Sequence, residues 1–321
     1  MNIIYSDLHL AHQPNYEIYD GRRSAYPEVA ARVDSIITEL RRLGIGRITK
    51  PTHFPLRHIY AVHQKQYVDF LRQCSKNLAN NEELYPSYFI SDTYAPLTPG
   101  TFKASLTAVD CALSGAQKIL SGQPIVYSLC RPPGHHAAHH TMGGYCYFNN
   151  AAIAAEFLAN HGSVAILDID FHHGNGTQAA FYNRRDVLYL SIHADPAQRY
   201  PYSSGFSDEC GSGPGEGFNF NYPLDLATTN SQYLAVLDSC LSEIKKFNPD
   251  FLVVSAGFDT FIHDPIGGFA LTQDVYREIG ARIGSLKLPT LIIQEGGYNV
   301  EYLGKLIGNF LSGFKLNQGS F

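Results

Sequence analysis

Hydrophobic residues in this chain form two kinds of runs that alternate along its length. Short apolar runs rich in Val, Ile and Leu, bounded by Gly, Pro, Asn or Asp, are typical of buried parallel strands. They predict strands at Ile125–Leu129, Val164–Ile169, Val187–Ile192, Phe251–Ser255 and Thr290–Gln294, with a further strand at the start, Met1–Asp7. Between them, a helical apolar period predicts helices at Glu28–Leu43, Thr101–Leu120, Asn149–Asn160, Ser231–Phe247, Thr272–Leu286 and Glu301–Phe314.

This alternation predicts an α/β fold with three layers, α/β/α, around a mostly parallel central sheet. No linker, repeat or low-complexity tract interrupts the 321 residues, so we expect one domain over residues 1–321. In open parallel sheets, ligands bind beyond the C-terminal ends of the strands. Residues with candidate chemistry are therefore expected immediately after the predicted strands.

Composition narrows the class of protein. Apolar residues make up 45% and charged residues 17% of the chain, as in ordinary globular proteins. A net charge of −5 without a basic stripe argues against nucleic acid and anionic membranes as partners. The chain has no apolar run near the roughly 18 residues of a membrane span and no signal-peptide pattern at its start. Six cysteines without a CxxC pair favour a reducing, cytoplasmic location.

Two adjacent histidines, His135 and His136, follow the first internal strand in the sequence RPPGHH. The Pro-Pro-Gly turn restricts the backbone, which suits side chains that must be held in position. On an extended segment two successive side chains point to opposite faces, so the pair is an unusual way to fill a core. A solvated histidine-rich loop is the alternative interpretation.

Other strand ends carry candidate metal ligands. Asp170 and His172 follow the second internal strand, two residues apart and so on one side, where an oxygen and an imidazole nitrogen can bind one Zn²⁺. Asp259 follows the strand at 251–255 and is a candidate third ligand. The alternative interpretation is structural: these aspartates would cap a helix or stabilise a turn.

Three protein ligands leave one coordination position open, as in catalytic rather than structural zinc sites. Such a metal lowers the pKa of its water to about 7 and polarises a substrate carbonyl. A neighbouring histidine can transfer a proton to the leaving amine. Tyr298, which follows two glycines after the strand at 290–294, can donate to the developing oxyanion. The set predicts metal-assisted amide hydrolysis.

The segments that carry these residues resemble the zinc-dependent histone deacetylase and acetylpolyamine amidohydrolase family, which has the arginase–deacetylase fold. The resemblance covers nearly the whole chain and rests on RPPGHHA, GGYCYFNNAAIAA, LDIDFHHGNGTQ, SIHADP, SAGFDTFIHDPIGGFALT and EGGYN, in the family's order. It implies that zinc is bound by Asp170, His172 and Asp259. It also implies that His136 is the general base and acid, with His135 as its electrostatic partner.

The same resemblance implies further roles. Asp168 and Asn175 would orient His135 and His136 respectively, and Tyr298 would stabilise the oxyanion. Tyr145 and Tyr200 would form the aromatic walls of a narrow substrate tunnel, with Gly144 beside them. A structural K⁺ is implied beside the zinc, at Asp168, Asp170, His172, Ser191 and Ile192.

The substrate is less sharply indicated. SIHADPAQRYPY and GFDTFIHDP resemble acetylpolyamine amidohydrolases more than the nuclear enzymes, and Glu17 matches a carboxylate associated with polyamine recognition; an exposed loop residue is the alternative for Glu17. Those enzymes carry a long insertion before the segment that matches LTPGT, which builds a dimer and narrows the entrance. The short stretch here favours a monomer with a more open mouth, where Asp92 is the candidate rim residue for holding a substrate's backbone or cation.

We therefore expect a Zn²⁺-dependent deacetylase acting on an acetylated polyamine or a similar small acetylated amine. A protein lysine deacetylase acting on acetyl-lysine is the alternative, and iron(II) in place of zinc stays open. A non-catalytic binding module is disfavoured because ligands, base and tyrosine are all present. A binuclear manganese ureohydrolase would need additional carboxylate and histidine ligands, and the paired histidines with Tyr298 favour a mononuclear deacetylase.

Overall fold

The computed structural model describes residues 1–315, so the end of the predicted domain, 316–321, lies outside the described residues. The strands are β1 (Asn2–Ile4), β2 (Tyr16–Tyr19), β3 (Arg22–Ala25), β4 (Arg47–Thr49), β5 (Ile125–Ser128), β6 (Val164–Asp168), β7 (Val187–Ala194), β8 (Asn219–Leu224), β9 (Phe251–Ala256) and β10 (Thr290–Gln294). The α-helices are α1 (Ala31–Arg42), α2 (Arg57–Tyr60), α3 (Lys65–Asn77), α4 (Thr101–Leu120), α5 (Asn150–Ala159), α6 (Asn175–Phe181), α7 (Asn230–Phe247), α8 (Val275–Gly284) and α9 (Val300–Lys315).

Eight strands form one sheet in the order β4-β1-β5-β10-β9-β6-β7-β8. Every neighbouring pair in it is parallel, and β2 and β3 form a separate antiparallel hairpin. Helices cover both faces, because buried side chains of α1, α7, α8 and α9 belong to one apolar cluster and those of α3, α4 and α5 to another. The predicted three-layer α/β/α class is confirmed, with a main sheet that is parallel throughout.

Most predicted elements agree with the structure within a few residues, and Thr101–Leu120 agrees at both ends. The helix predicted from Glu28 begins only at Ala31. Glu28 is fully buried, and its carboxylate accepts hydrogen bonds from Arg32 (2.6 Å) and Arg131 (2.9 Å). Glu28 is therefore buried because it pairs with two arginines, and it lies before the first turn of the helix. Strands β2, β3, β4 and β8 and helices α2, α3 and α6 were not predicted.

The sheet order determines where the candidate residues meet. β5, β10, β9 and β6 are consecutive neighbours in the middle of the sheet, and the candidate residues follow these four strands. Their C-terminal ends lie at one edge because the strands are parallel. Within residues 1–315, none of the helices is long and apolar enough to cross a membrane.

Candidate active site

The paired histidines after β5 lie in a hydrogen-bonded turn. Their rings are side by side, with centroids 3.9 Å apart, so the expectation of opposite faces, which assumed an extended backbone, is wrong. Each ring has its own partner: His135 Nδ1 lies 3.1 Å from Asp168 Oδ2, and His136 Nδ1 lies 2.8 Å from Asn175 Oδ1. The structure thus brings both histidines into contact with the residues expected to orient them.

Their surroundings shift the pKa values of the two histidines in opposite directions. Burial alone would lower the pKa of His135, but the carboxylates of Asp170 and Asp168 outweigh it and raise the pKa to about 10. Burial lowers the pKa of His136 well below its usual range, and the neighbouring His135 and His172 lower it further. These shifts favour a neutral His136, which can accept a proton, beside a His135 whose protonated form is favoured.

The predicted metal ligands converge from the ends of β6 and β9. One donor atom from each of Asp170, His172 and Asp259 lies within 4.8 Å of the others. His172 Nδ1 is 3.4 Å from Asp170 Oδ1 and 3.0 Å from Asp259 Oδ2. Two glycines permit this packing, because a Cβ at Gly257 would lie 2.0 Å from Asp170 Oδ2 and one at Gly296 2.6 Å from an oxygen of each aspartate.

This donor set fits a divalent cation. Asp170 is 1% and Asp259 0% exposed, and burial together with the charge of Asp170 raises the pKa of Asp259 to about 7. Two buried carboxylates in contact with one imidazole are unfavourable unless a cation balances them. Two oxygens and one nitrogen, with one position open, match the ligands of catalytic zinc.

Tyr298 is held at the edge of this cluster by its backbone and its ring. Its N–H and that of Asn299 both donate to Asp264 Oδ2, at 2.6 Å and 3.1 Å. The guanidinium of Arg32 lies 4.8 Å from the Tyr298 ring centroid and donates to the Gly297 carbonyl at 2.6 Å. No local sequence pattern indicated Asp264 or Arg32, since neither is adjacent to Tyr298 in the chain.

Glu295 is another residue of the site that no local sequence pattern indicated. It is 0% exposed, and its Oε2 accepts from the N–H groups of Gly134 (2.7 Å) and His135 (3.2 Å). Its Oε1 accepts from the Ser255 hydroxyl at 3.3 Å. Glu295 thus joins the ends of β5, β9 and β10. One of its carboxylate oxygens also lies within 4.8 Å of one ligand atom each of His135 and Cys146, but hydrogen bonds already engage this carboxylate.

A cavity of about 450 Å³ leads to the cluster. His136, His172 and Tyr298 line it together with the expected tunnel residues Gly144, Tyr145, Tyr200 and Glu17. The Tyr200 ring stands at 86° to that of His136, with centroids 4.8 Å apart. Gly144 has a φ of +51°, and a Cβ there would lie 2.3 Å from the His136 ring.

The two candidate substrate carboxylates have different positions. Glu17, on β2, lines the cavity and is only 6% exposed, so it is not the exposed loop residue considered as its alternative. Its Oε2 accepts from the Tyr145 hydroxyl at 2.8 Å. Asp92, the expected rim residue, is half-buried, and its carboxylate accepts from Tyr200 OH and the Gly144 N–H beside the cavity.

The residues expected around K⁺ lie on β6, β7 and the loop after β6. Asp168 pairs with Ser191 across the two strands, and the Asp170 N–H donates to Asp168 Oδ1 at 3.1 Å. Ser191 and Ile192 are fully buried. Ser191 Oγ lies 2.8 Å from His193 Nδ1.

A buried three-ligand site with an adjacent neutral histidine and a tyrosine, at the C-terminal edge of a parallel sheet, has the groups of a metal-dependent amide hydrolase. Residues 26–314 match the model of the histone deacetylase domain. The chain therefore belongs to the histone deacetylase family.

Individual relatives support this family assignment. Acetylpolyamine amidohydrolase 2 of Pseudomonas aeruginosa is 40% identical over 340 residues, which cover 98% of this chain and 99% of that protein. Histone deacetylase 8 of Arabidopsis thaliana is 34% identical over 304 residues, 90% of this chain and 78% of that protein. The solved structure of an acetylpolyamine aminohydrolase from Burkholderia pseudomallei has a TM-score of 0.95 and 36% identity, covering 99% of this chain and 100% of that one. These matches confirm the predicted family, the arginase–deacetylase fold and a hydrolytic deacetylase.

Proposed function

We propose that this enzyme is a zinc-dependent deacetylase of acetylated polyamines or similar small acetylated amines. The observation that carries the proposal is the convergence of Asp170, His172 and Asp259 at the inner end of a cavity that also contains His136 and Tyr298. The relatives named for acetylpolyamines support the substrate class, because they match almost the full length of this chain.

Zinc would be held by Asp170, His172 and Asp259. When bound there, it supplies Lewis-acid chemistry by acidifying water and polarising the acetyl carbonyl. Iron(II) is the other candidate metal. K⁺ would bind beside this site at the positions given above, where the carbonyls and side chains of β6 and β7 supply oxygen.

The chain's own residues would then divide the work of hydrolysis. Neutral His136 accepts a proton from the attacking water as the new C–O bond forms, and donates it to the amine nitrogen as the C–N bond breaks. Asn175 holds the His136 ring for this transfer through the 2.8 Å contact. Tyr298 donates a hydrogen bond to the carbonyl oxygen as it gains negative charge.

The cavity suits a substrate with an alkyl chain and a distal cation. Tyr145 and Tyr200 would enclose the methylene groups, whose contact with aromatic rings is favourable. The carboxylate of Glu17 lies in the same wall, hydrogen-bonded to Tyr145, where it can pair with an ammonium group. Tyr19 and Tyr202 are 52% and 57% exposed where they line the cavity, which places them at its mouth.

The test compares kcat/KM for acetylputrescine, acetylspermidine and an acetyl-lysine peptide on one preparation of enzyme. We expect an acetylated polyamine to be turned over fastest. Faster turnover of the peptide would assign the enzyme to protein lysine deacetylation instead. Tyr298→Phe serves as the control for contaminating deacetylases, because it should lower kcat by about 10²–10³ on every substrate.

A further inference from the structure

The carboxylate of Asp92 accepts four hydrogen bonds from the protein. Its Oδ2 accepts from the Tyr200 hydroxyl at 2.7 Å and from the Gly144 N–H at 3.0 Å. The same oxygen accepts from the Ser91 hydroxyl at 3.0 Å, and Oδ1 accepts from the Tyr94 N–H at 2.8 Å. Four protein donors therefore hold the carboxylate, three of them at Oδ2, which fixes its orientation relative to the cavity.

Two of these donors belong to different segments that line the cavity. Tyr200 lies in the loop after β7 and sets its ring edge against the base His136. Gly144 belongs to the turn at 143–145, which carries Tyr145. A single carboxylate therefore connects both aromatic walls, through a hydroxyl on one side and a main-chain N–H on the other.

The turn at 143–145 needs such a restraint. Tyr145 has a φ of +67°, in the left-handed region that a bulky residue rarely adopts. Strained backbone of this kind persists only where surrounding contacts hold it, and it is concentrated at functional sites. Reciprocal backbone hydrogen bonds between Gly143 and Cys146 close the turn. Two side chains from other segments hold it as well, Asp92 on the Gly144 N–H and Glu17 on the Tyr145 hydroxyl. The Gly143 position is also closely packed, since a Cβ there would lie 2.3 Å from Asp92 Oδ2.

We propose that Asp92 is a positioning residue that sets the distance between the Tyr145 and Tyr200 walls, and that it does not contact the substrate. The inference goes beyond the proposed function, because it needs only that the enzyme hydrolyses some acetamide. A loosened wall lets the acetyl group tilt away from His136, and small misalignments of reacting groups cost rate. The loss should not depend on whether the substrate carries a charge.

The experiment measures kcat and KM for Asp92→Asn, Tyr200→Phe and the double variant. The substrates are acetylputrescine and N-pentylacetamide, which has the same length and no charge. Asp92→Asn should lower kcat about 10- to 30-fold on both substrates, the size expected for losing hydrogen bonds to a charged group. Tyr200→Phe should lower kcat about 3- to 10-fold. The double variant should match Asp92→Asn, because the hydroxyl acts only through Asp92.

Ser91→Ala is the matched control. It removes a donor from the same Asp92 oxygen but no part of the cavity wall. Because Ser91 is exposed, water can replace the lost hydroxyl, so kcat should stay within about twofold of wild type. Melting temperature and metal content are measured for every variant. If Asp92→Asn does not fold, Tyr200→Phe carries the test alone, because it leaves three donors on the carboxylate; equal losses on both substrates support the proposal and unchanged kcat on both refutes it.

Two results would overturn the proposal. A loss confined to acetylputrescine would show that Asp92 faces the substrate's cation, and fully additive losses would show that Tyr200 and Asp92 act separately. A wrong assignment of the substrate to polyamines can be told apart from a wrong role for Asp92, because the former appears in wild type as faster turnover of the acetyl-lysine peptide. In that case, the ratio of kcat between variant and wild type is measured on acetyl-lysine peptides with and without a charged residue next to the acetyl-lysine.

Discussion

Neutralising Glu17 tests how the cavity recognises the far end of a substrate. Its carboxylate lies in the cavity wall, where burial raises its pKa and the hydrogen bonds from Tyr145 and Ser24 oppose that rise. Glu17→Gln preserves the size of the side chain and leaves an amide oxygen to accept from Tyr145. The variant therefore removes the charge and little else.

The magnitude follows from the position of the carboxylate. An ammonium about 4 Å away interacts with it by about 4 kcal/mol at an effective dielectric constant of about 20. The cost of removing water from both groups on binding offsets part of this Coulomb attraction. Hydrogen bonds to charged groups contribute about 1.5–3 kcal/mol net. With Glu17 only 6% exposed, we expect a loss of about 2 kcal/mol, or about 30-fold in kcat/KM.

The assay compares kcat/KM for acetylputrescine and N-pentylacetamide in wild type and Glu17→Gln. Only acetylputrescine should be affected, and the effect should shrink between about 0.05 M and about 0.5 M salt, where the Debye length falls to about 4 Å. Ser24→Ala, which removes a hydroxyl donor to Glu17 without changing charge, is the control. Equal losses on both substrates would make Glu17 a structural residue, and no loss on either would refute the ammonium contact.

Three further variants test the remaining parts of the site and the fold. Asp259→Ala should lose most of the metal, measured on the purified protein, because two ligands rarely hold zinc tightly; full occupancy would remove Asp259 from the site. His136→Ala should keep the metal and lose about 10²–10⁴-fold in kcat, and activity within a few fold of wild type would show that it is not the base. Glu28→Gln leaves Arg32 and Arg131 buried without a counter-charge, which should cost about 3–5 kcal/mol in urea unfolding; a loss below about 1 kcal/mol would contradict this.

Local pattern alone determined the class of fold and the chemistry of the site. Apolar runs and the turn residues that bound them are local signals, so the strands that carry the site were predicted to within one or two residues. Asp170 and His172 were predicted as a pair because they lie two residues apart after one strand. The catalytic set was recognisable because each member follows a strand, and parallel strands end at one edge.

Tertiary structure decided which strands are neighbours and which distant groups meet. The adjacency of β5, β10, β9 and β6 depends on helices crossing the sheet between strands far apart in the chain. Glu295 accepts from the Gly134 N–H across 161 residues, and Tyr200 donates to Asp92 across 108. The hydrophobic periodicity of a single segment does not indicate such contacts, because they form only when packing brings separate segments together. The sequence therefore indicated Asp92 only as a candidate rim residue, and its hydrogen bonds to Tyr200 and Gly144 became visible only in the folded chain.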